Sequence, residues 1–247
     1  MAYYRLGYFF DNLFRQQHLK SNKRQKARNN RTSVKQKNIN FLSVLQQKAT
    51  HEWIPMTEQQ IKKQQLLNQL YQPYRKCIEC PLGSQGRTRV VFGAGNPDAQ
   101  LMFIGEAPGR EEDAQGLPFV GKSGALLSKL LDLHGIERTE IFITNIVKCR
   151  PPNNRRPLPY EMNTCKKLLL LHQIRIINPR IICTLGSTAL AGLLETEVKI
   201  TQVRGKIIQF GSIQLIPTYH PAYVLRNPKE LPNLAHDISQ AVNLYHQ

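Results

Sequence analysis

The chain has 247 residues, 41% of them hydrophobic, enough for one sizeable α/β domain with a buried core and too apolar for a wholly disordered chain. No stretch approaches the roughly 20 apolar residues that span a bilayer. The start of the chain also lacks the apolar core and cleavage site of a secretory leader, so the sequence predicts an intracellular protein with no membrane partner. Thirty-four Lys and Arg against seventeen Asp and Glu give a net charge of +17, of which +12 falls within residues 1–76. That imbalance suits a polyanionic partner, because each phosphate neutralised releases a condensed counterion.

The stretch LKSNKRQKARNNRTSVKQKNIN (19–40) holds no acid and no aromatic residue. It cannot bury enough apolar surface to offset the entropy of ordering, so residues 1–50 read as a basic, disordered extension and residues 51–247 as the folded domain. An Arg-rich, acid-poor start is also the composition of an organelle transit peptide. The expected location is cytoplasmic, at the nucleoid, with organelle targeting as the alternative.

A first helix is predicted from Thr57, with Glu58 in its first turn and apolar residues at Ile61, Leu66, Leu67 and Leu70. Four apolar runs then read as buried strands: LMFIG (101–105), IFITNIV (141–147), RIICTLG (180–186) and SIQLIPTY (212–219). Helical patterns lie between them at 124–136, 160–178 and 187–195, and a Gly-Ser turn makes a hairpin that feeds the last strand. Strands alternating with helices predict a three-layer α/β/α fold around a central four-stranded, mainly parallel sheet.

Residues 116–123 (GLPFVGKS) satisfy G-x-x-x-x-G-K-[ST], the pattern of a phosphate-cradling loop. Such a loop must leave a strand directly and open a helix. Here the strand ends at Gly105, eleven residues earlier, and Glu106, Glu111, Glu112 and Asp113 intervene where phosphates would be repelled. The match is read as accidental, and no nucleoside triphosphate is expected.

In an open parallel sheet ligands bind beyond the carboxyl ends of the strands. Those ends deliver Glu106, Asn145 and His220, beside the loop that carries Phe119. Each has an ordinary structural alternative, but together they suit a flipped-out nucleobase. An aromatic face stacks on the base, worth about 1–3 kcal/mol. An amide offers one donor and one acceptor, matching the O4 and N3–H of uracil. An imidazole donor stabilises charge on a departing base while a carboxylate positions water. This is the chemistry of N-glycosidic bond hydrolysis.

GEAPGREED (105–113), GLPFVGKSG (116–124), TNIVKCRPPNNRRP (144–157) and HPAYVLRNP (220–228) together resemble the family 4 uracil-DNA glycosylases, in family order over roughly residues 70–247. The resemblance implies release of free uracil from DNA, leaving an abasic site. It makes 116–124 the loop that brings Phe119 to the uracil. Ala107 stands where related glycosylases carry a water-activating Asp, so Glu106 and Glu112 become the catalytic carboxylate candidates, with Glu106 favoured for its place at the strand end. Asn145 would read the uracil edge, His220 would face O2, and Leu225 with Arg226 would meet the DNA near the vacated stack. The alternative is a protein of the same fold that acts on another deaminated base, or that binds nucleic acid without catalysis.

Cys77 and Cys80 form C-x-x-C, and Cys149 and Cys165 complete a set of four. Four thiolates from two regions suit tetrahedral zinc or an iron–sulfur cluster, and spacing alone does not choose between them. The resemblance implies a structural [4Fe–4S] cluster. Cys183, within an apolar strand, reads as a core thiol. Lys148, Arg150, Arg155, Arg156 and Arg226 gather in sequence near the expected mouth, as phosphate contacts would. One continuous site within one chain leads to the expectation of a monomer acting on uracil-containing DNA.

Overall fold

The computed structural model describes residues 55–247, so the basic extension expected over 1–50 lies outside the described residues. The first helix, α1 (Glu58–Tyr71), begins where the sequence places it. Thr57 caps it through a reciprocal capping box with Gln60, which satisfies two otherwise orphaned amides. Only Leu67 of its apolar positions is buried, while Ile61 and Leu66 stay exposed.

The sheet has six strands rather than four, in the order β1-β3-β2-β4-β6-β5. The four expected strands are its parallel centre: β2 (Leu101–Gly105), β3 (Phe142–Asn145), β4 (Ile181–Leu185) and β6 (Ile213–Thr218). Two short antiparallel edges, β1 (Ala94–Gly95) and β5 (Ile208–Phe210), extend it on either side. The extra count comes from these edges: β1 is two residues long, too short for any hydrophobic period, and β5 is the outer arm of the expected hairpin.

Every residue of β2, β3 and β4 is buried, as parallel strands covered on both faces require. One face meets α6 (Ser187–Leu194), whose Ala189, Leu190 and Leu193 share a core with Met102, Ile104 and Ile182. The C-terminal helix α9 (Leu231–Tyr245) crosses β2, β4 and β6 with Leu234, Ile238 and Ala241 buried. The helical pattern at 160–178 is realised as α4 (Pro159–Cys165), a π-helical stretch at Lys166–Leu170 and α5 (Leu171–Ile177). Among the described residues no helix is long and apolar enough to cross a membrane.

Three further helices shape the carboxyl edge of the sheet: α2 (Arg110–Gln115), α3 (Lys122–Asp132) and α8 (Pro221–Arg226). A one-turn helix, α7 (Ile200–Val203), precedes the hairpin. Helix α2 occupies the interval between β2 and Gly116, so the phosphate-loop pattern is separated from its strand by a helix of its own.

Candidate active site

Parallel register sets Gly105, the last residue of β2, opposite Asn145, the last of β3. Glu106 follows the first, and His220 stands two residues beyond β6. All three line one cleft of about 710 Å³ at this edge, together with Ala107, Glu112, Phe119 and Tyr219. The strand-end residues singled out in the sequence are therefore brought together.

Asn145 is 1% exposed, and its side-chain Oδ1 has no hydrogen-bond partner. A buried acceptor left unpaired costs about 1–3 kcal/mol. This one lines the cleft, where a ligand N–H can reach it. The main-chain oxygen of Asn145 is fixed from behind by Lys148 Nζ at 2.7 Å.

His220 caps α8: its Nδ1 accepts a hydrogen bond from the Ala222 amide at 3.0 Å. The neutral ring therefore carries its proton on Nε2. Burial, reinforced by nearby Arg226 and opposed by Glu112, pushes its pKa down to about 4. Its surroundings hold a neutral donor rather than an imidazolium. Gly186, at φ +96°, allows this approach, since a Cβ there would stand 3.0 Å from the His220 Cβ.

Phe119 is buried in a left-handed conformation at φ +52°, with its ring 5.8 Å from that of His220 and tilted by 30°. Glu112 supports the same loop. Its Oε1 accepts from the amides of Val120 and Gly121 at 2.9 and 2.8 Å, and its Oε2 accepts from Gly109 at 3.1 Å. Both oxygens are thus committed to main chain. The Glu106 carboxylate lines the cleft and makes no hydrogen bond among the described residues. Neighbouring Asp113 is buried and accepts from the amides of Thr88 and Arg89.

The residues expected to meet DNA divide. Arg226 lines the cleft, Arg156 is exposed and Leu225 is 43% exposed on α8. Arg155 lines the cleft too, but its guanidinium makes two bonds, of 2.8 and 2.7 Å, to fully buried Glu161. Arg150 bonds Asn154 on the surface. The position expected for Lys148 at the mouth is overturned. It is completely buried and donates to Thr144 Oγ1 and the Asn145 carbonyl, and desolvation lowers its pKa to about 7. A lysine three residues past a buried strand end is carried inward with the strand.

Cys77, Cys80, Cys149 and Cys165 line one separate small cavity, with Lys148, Val90, Leu168 and Leu169. Among the described residues no group of three or more His, Cys, Asp or Glu is arranged to hold a metal ion as placed. The donor set nevertheless fits a soft metal centre, being four thiols in an apolar wall. Burial pushes Cys149 up to about 12 and Cys165 up to about 11, each raised further by the other cysteines. A bound cation is what would stabilise them as thiolates. The Lys148 amide already points at Cys165 Sγ at 3.3 Å. Cys183 lies apart, fully buried in β4.

One residue that holds the Phe119 loop gave no sequence signal. Arg138, in the ordinary-looking segment IERTE, donates to the carbonyls of Pro118 and Phe119 at 2.8 and 3.1 Å. It belongs to no spaced pattern, and only the fold brings it to the loop.

The model of the Uracil DNA glycosylase superfamily matches residues 92–242. A type-4 uracil-DNA glycosylase of Thermotoga maritima is 48% identical over 167 residues, covering 67% of this chain and 86% of the relative. Relatives of the same name from Sulfurisphaera tokodaii and Saccharolobus solfataricus are 47% and 45% identical over 161 and 163 residues. Each covers 62% of this chain, and 72% and 74% of the respective relative.

Proposed function

This chain belongs to the uracil DNA glycosylase superfamily, among its type-4 members, and from that premise we propose that it excises uracil from DNA by hydrolysing the N-glycosidic bond. The observation that carries this reading is the unpaired, buried Oδ1 of Asn145 in a cleft that also holds a neutral His220.

The chemistry follows from the side chains. A uracil extruded from the duplex stacks on Phe119, and its N3–H satisfies Asn145 Oδ1 while the amide NH₂ donates to O4. The C1′–N1 bond breaks with its electron pair passing to the base. The charge that develops on O2 is met by the Nε2–H of His220, a preorganised donor in a partly dehydrated cleft. Because that imidazole is neutral, it stabilises the uracil anion by a hydrogen bond without first giving up a proton. Water adds to C1′, and its proton leaves toward Glu106 or solvent. Glu106 takes the water-positioning role because the Glu112 oxygens already hold three main-chain amides. Ala107 contributes cleft wall only. Its methyl group cannot activate water.

Leu225 and Arg226 on the exposed face of α8 suit the space left by the extruded nucleotide, and Arg156 suits a phosphate. Arg155, bound to Glu161, has its charge largely neutralised and contributes chiefly by holding the 151–158 loop. Cys77, Cys80, Cys149 and Cys165 would hold a [4Fe–4S] cluster, zinc being the less favoured occupant. Such a cluster would cross-link the segment after α1, which carries Cys77 and Cys80, to Cys149 beyond β3 and Cys165 at the end of α4, and hydrolysis would draw no electron from it. One chain supplies every group, consistent with action as a monomer.

The test is release of free base from duplexes containing U·G, hypoxanthine or undamaged pairs. Selective release of uracil is the expected result. Release of another deaminated base alone, or binding without release, would replace this reading with the alternative of the same fold.

A further inference from the structure

Phe119 adopts φ +52° although it has a side chain, in a region that favours glycine. Such a conformation persists only where its surroundings fix it. Two side chains fix this one from opposite sides. Glu112 Oε1 takes the amides that follow Phe119, those of Val120 and Gly121. Arg138 takes the carbonyls at and before it: Nη2 donates to Pro118 O at 2.8 Å, and Nη1 to Phe119 O at 3.1 Å and to Ser128 Oγ at 3.3 Å. The planar fork of a guanidinium meets two successive carbonyls from two separate nitrogens in a fixed geometry, which the single nitrogen of an ammonium does not reproduce.

Arg138 is partly buried and is not among the residues lining the cleft. It reaches the cleft through the loop it grips. Main chain also closes on the same point: a Cβ on Gly124 would overlap the Phe119 carbonyl, so α3 packs directly against the atom that Arg138 holds. Released from the guanidinium, the Pro118 and Phe119 carbonyls would lose their side-chain donor, leaving the loop to the Glu112 bonds at Val120 and Gly121 and to the packing of α3, and the ring would lose its fixed tilt toward His220.

We infer that Arg138 is a positioning residue for base recognition, locking the left-handed main chain at Phe119 so that the ring forms one wall of the base pocket. This rests on the reading of Phe119 as the face that receives the base.

The experiment is a double-mutant cycle of Arg138→Ala and Phe119→Ala, with Arg138→Lys as the variant that keeps the charge and most of the stem. Each protein is assayed for single-turnover release of uracil from a U·G duplex and for inhibition by free uracil. Arg138→Ala is expected to lower release by about ten- to a hundredfold and to weaken inhibition by free uracil, since displacement of a positioning element by about 1 Å costs up to about that much. Arg138→Lys is expected to recover part of both, and millimolar methylguanidinium to restore part of the loss in Arg138→Ala. In the Phe119→Ala background the Arg138 change should add little. Full multiplication of the two losses, or Arg138→Lys and Arg138→Ala both matching wild type, would overturn the inference. A Phe119→Ala protein with unchanged release and unchanged uracil inhibition would instead overturn the reading on which it rests.

Discussion

A methyl group on Gly105 would overlap Asn145 Oδ1 and would stand 2.6 Å from Cζ of Phe119. The bare α-carbon at the end of β2 is what lets the amide and the aromatic ring both close on this point of the cleft wall. Gly105→Ala is therefore expected to displace both groups. Uracil release should fall by about a hundredfold, while overpacking lowers stability by about 1–3 kcal/mol. Single-turnover kinetics beside thermal unfolding separates the two effects. A loss of stability with unchanged release would contradict the placement.

Asn145→Asp replaces the amide donor with a second acceptor of equal size. The carboxylate would repel O4 and remain buried at high cost, so uracil selectivity should be lost with the fold retained. A decrease of about 10²–10³-fold in release from U·G duplexes is expected, the scale for removing one preorganised donor. Circular dichroism checks the fold, and release from duplexes carrying other bases checks selectivity.

His220 sets the acid limb. Its pKa of about 4 arises from burial and from Arg226, against the opposing pull of Glu112. The release rate should stay flat from pH 8 to about 5 and fall only on approach to 4, with no inflection near the ordinary histidine value of about 6.5. Stability moves in the same sense. The folded pKa lies below the unfolded one, so the unfolded chain takes up the proton first, and this contribution is lost as pH falls from about 6.5 through about 4. An inflection between pH 6 and 7 that disappears in His220→Asn would contradict a neutral histidine.

The cysteine cavity makes a separate prediction. Serine at Cys77, Cys80, Cys149 or Cys165 should each abolish stoichiometric iron and the visible absorbance of the cluster, and lower Tm. Cys183→Ser should leave both spectroscopic features intact, because Cys183 lies in β4 away from the cavity. Iron and zinc analysis of aerobically purified protein decides the metal. Zinc without iron would contradict the cluster.

Much of this architecture was readable from the chain because its signals are local. The four central strands are short apolar runs bounded by turn residues, and the rule that ligands gather beyond their carboxyl ends points to Glu106, Asn145 and His220. The edges were not readable: β1 is two residues held by pairing to β3, and no periodicity survives at that length. Lys148 was misplaced because a lysine in a basic run reads as surface, whereas strand direction carries it inside to two buried acceptors. Glu112 looked catalytic from its motif, yet main-chain amides approach both its oxygens. Arg138 was silent for the converse reason, since its role depends on carbonyls twenty residues earlier in the chain.

The most direct test of the whole account is release of free uracil from a U·G-containing duplex by wild type and by His220→Ala, both folded and matched in metal content. The account predicts rapid release by wild type and a loss of about 10²–10³-fold in the variant. No release by wild type, or equal release by both proteins, would contradict it.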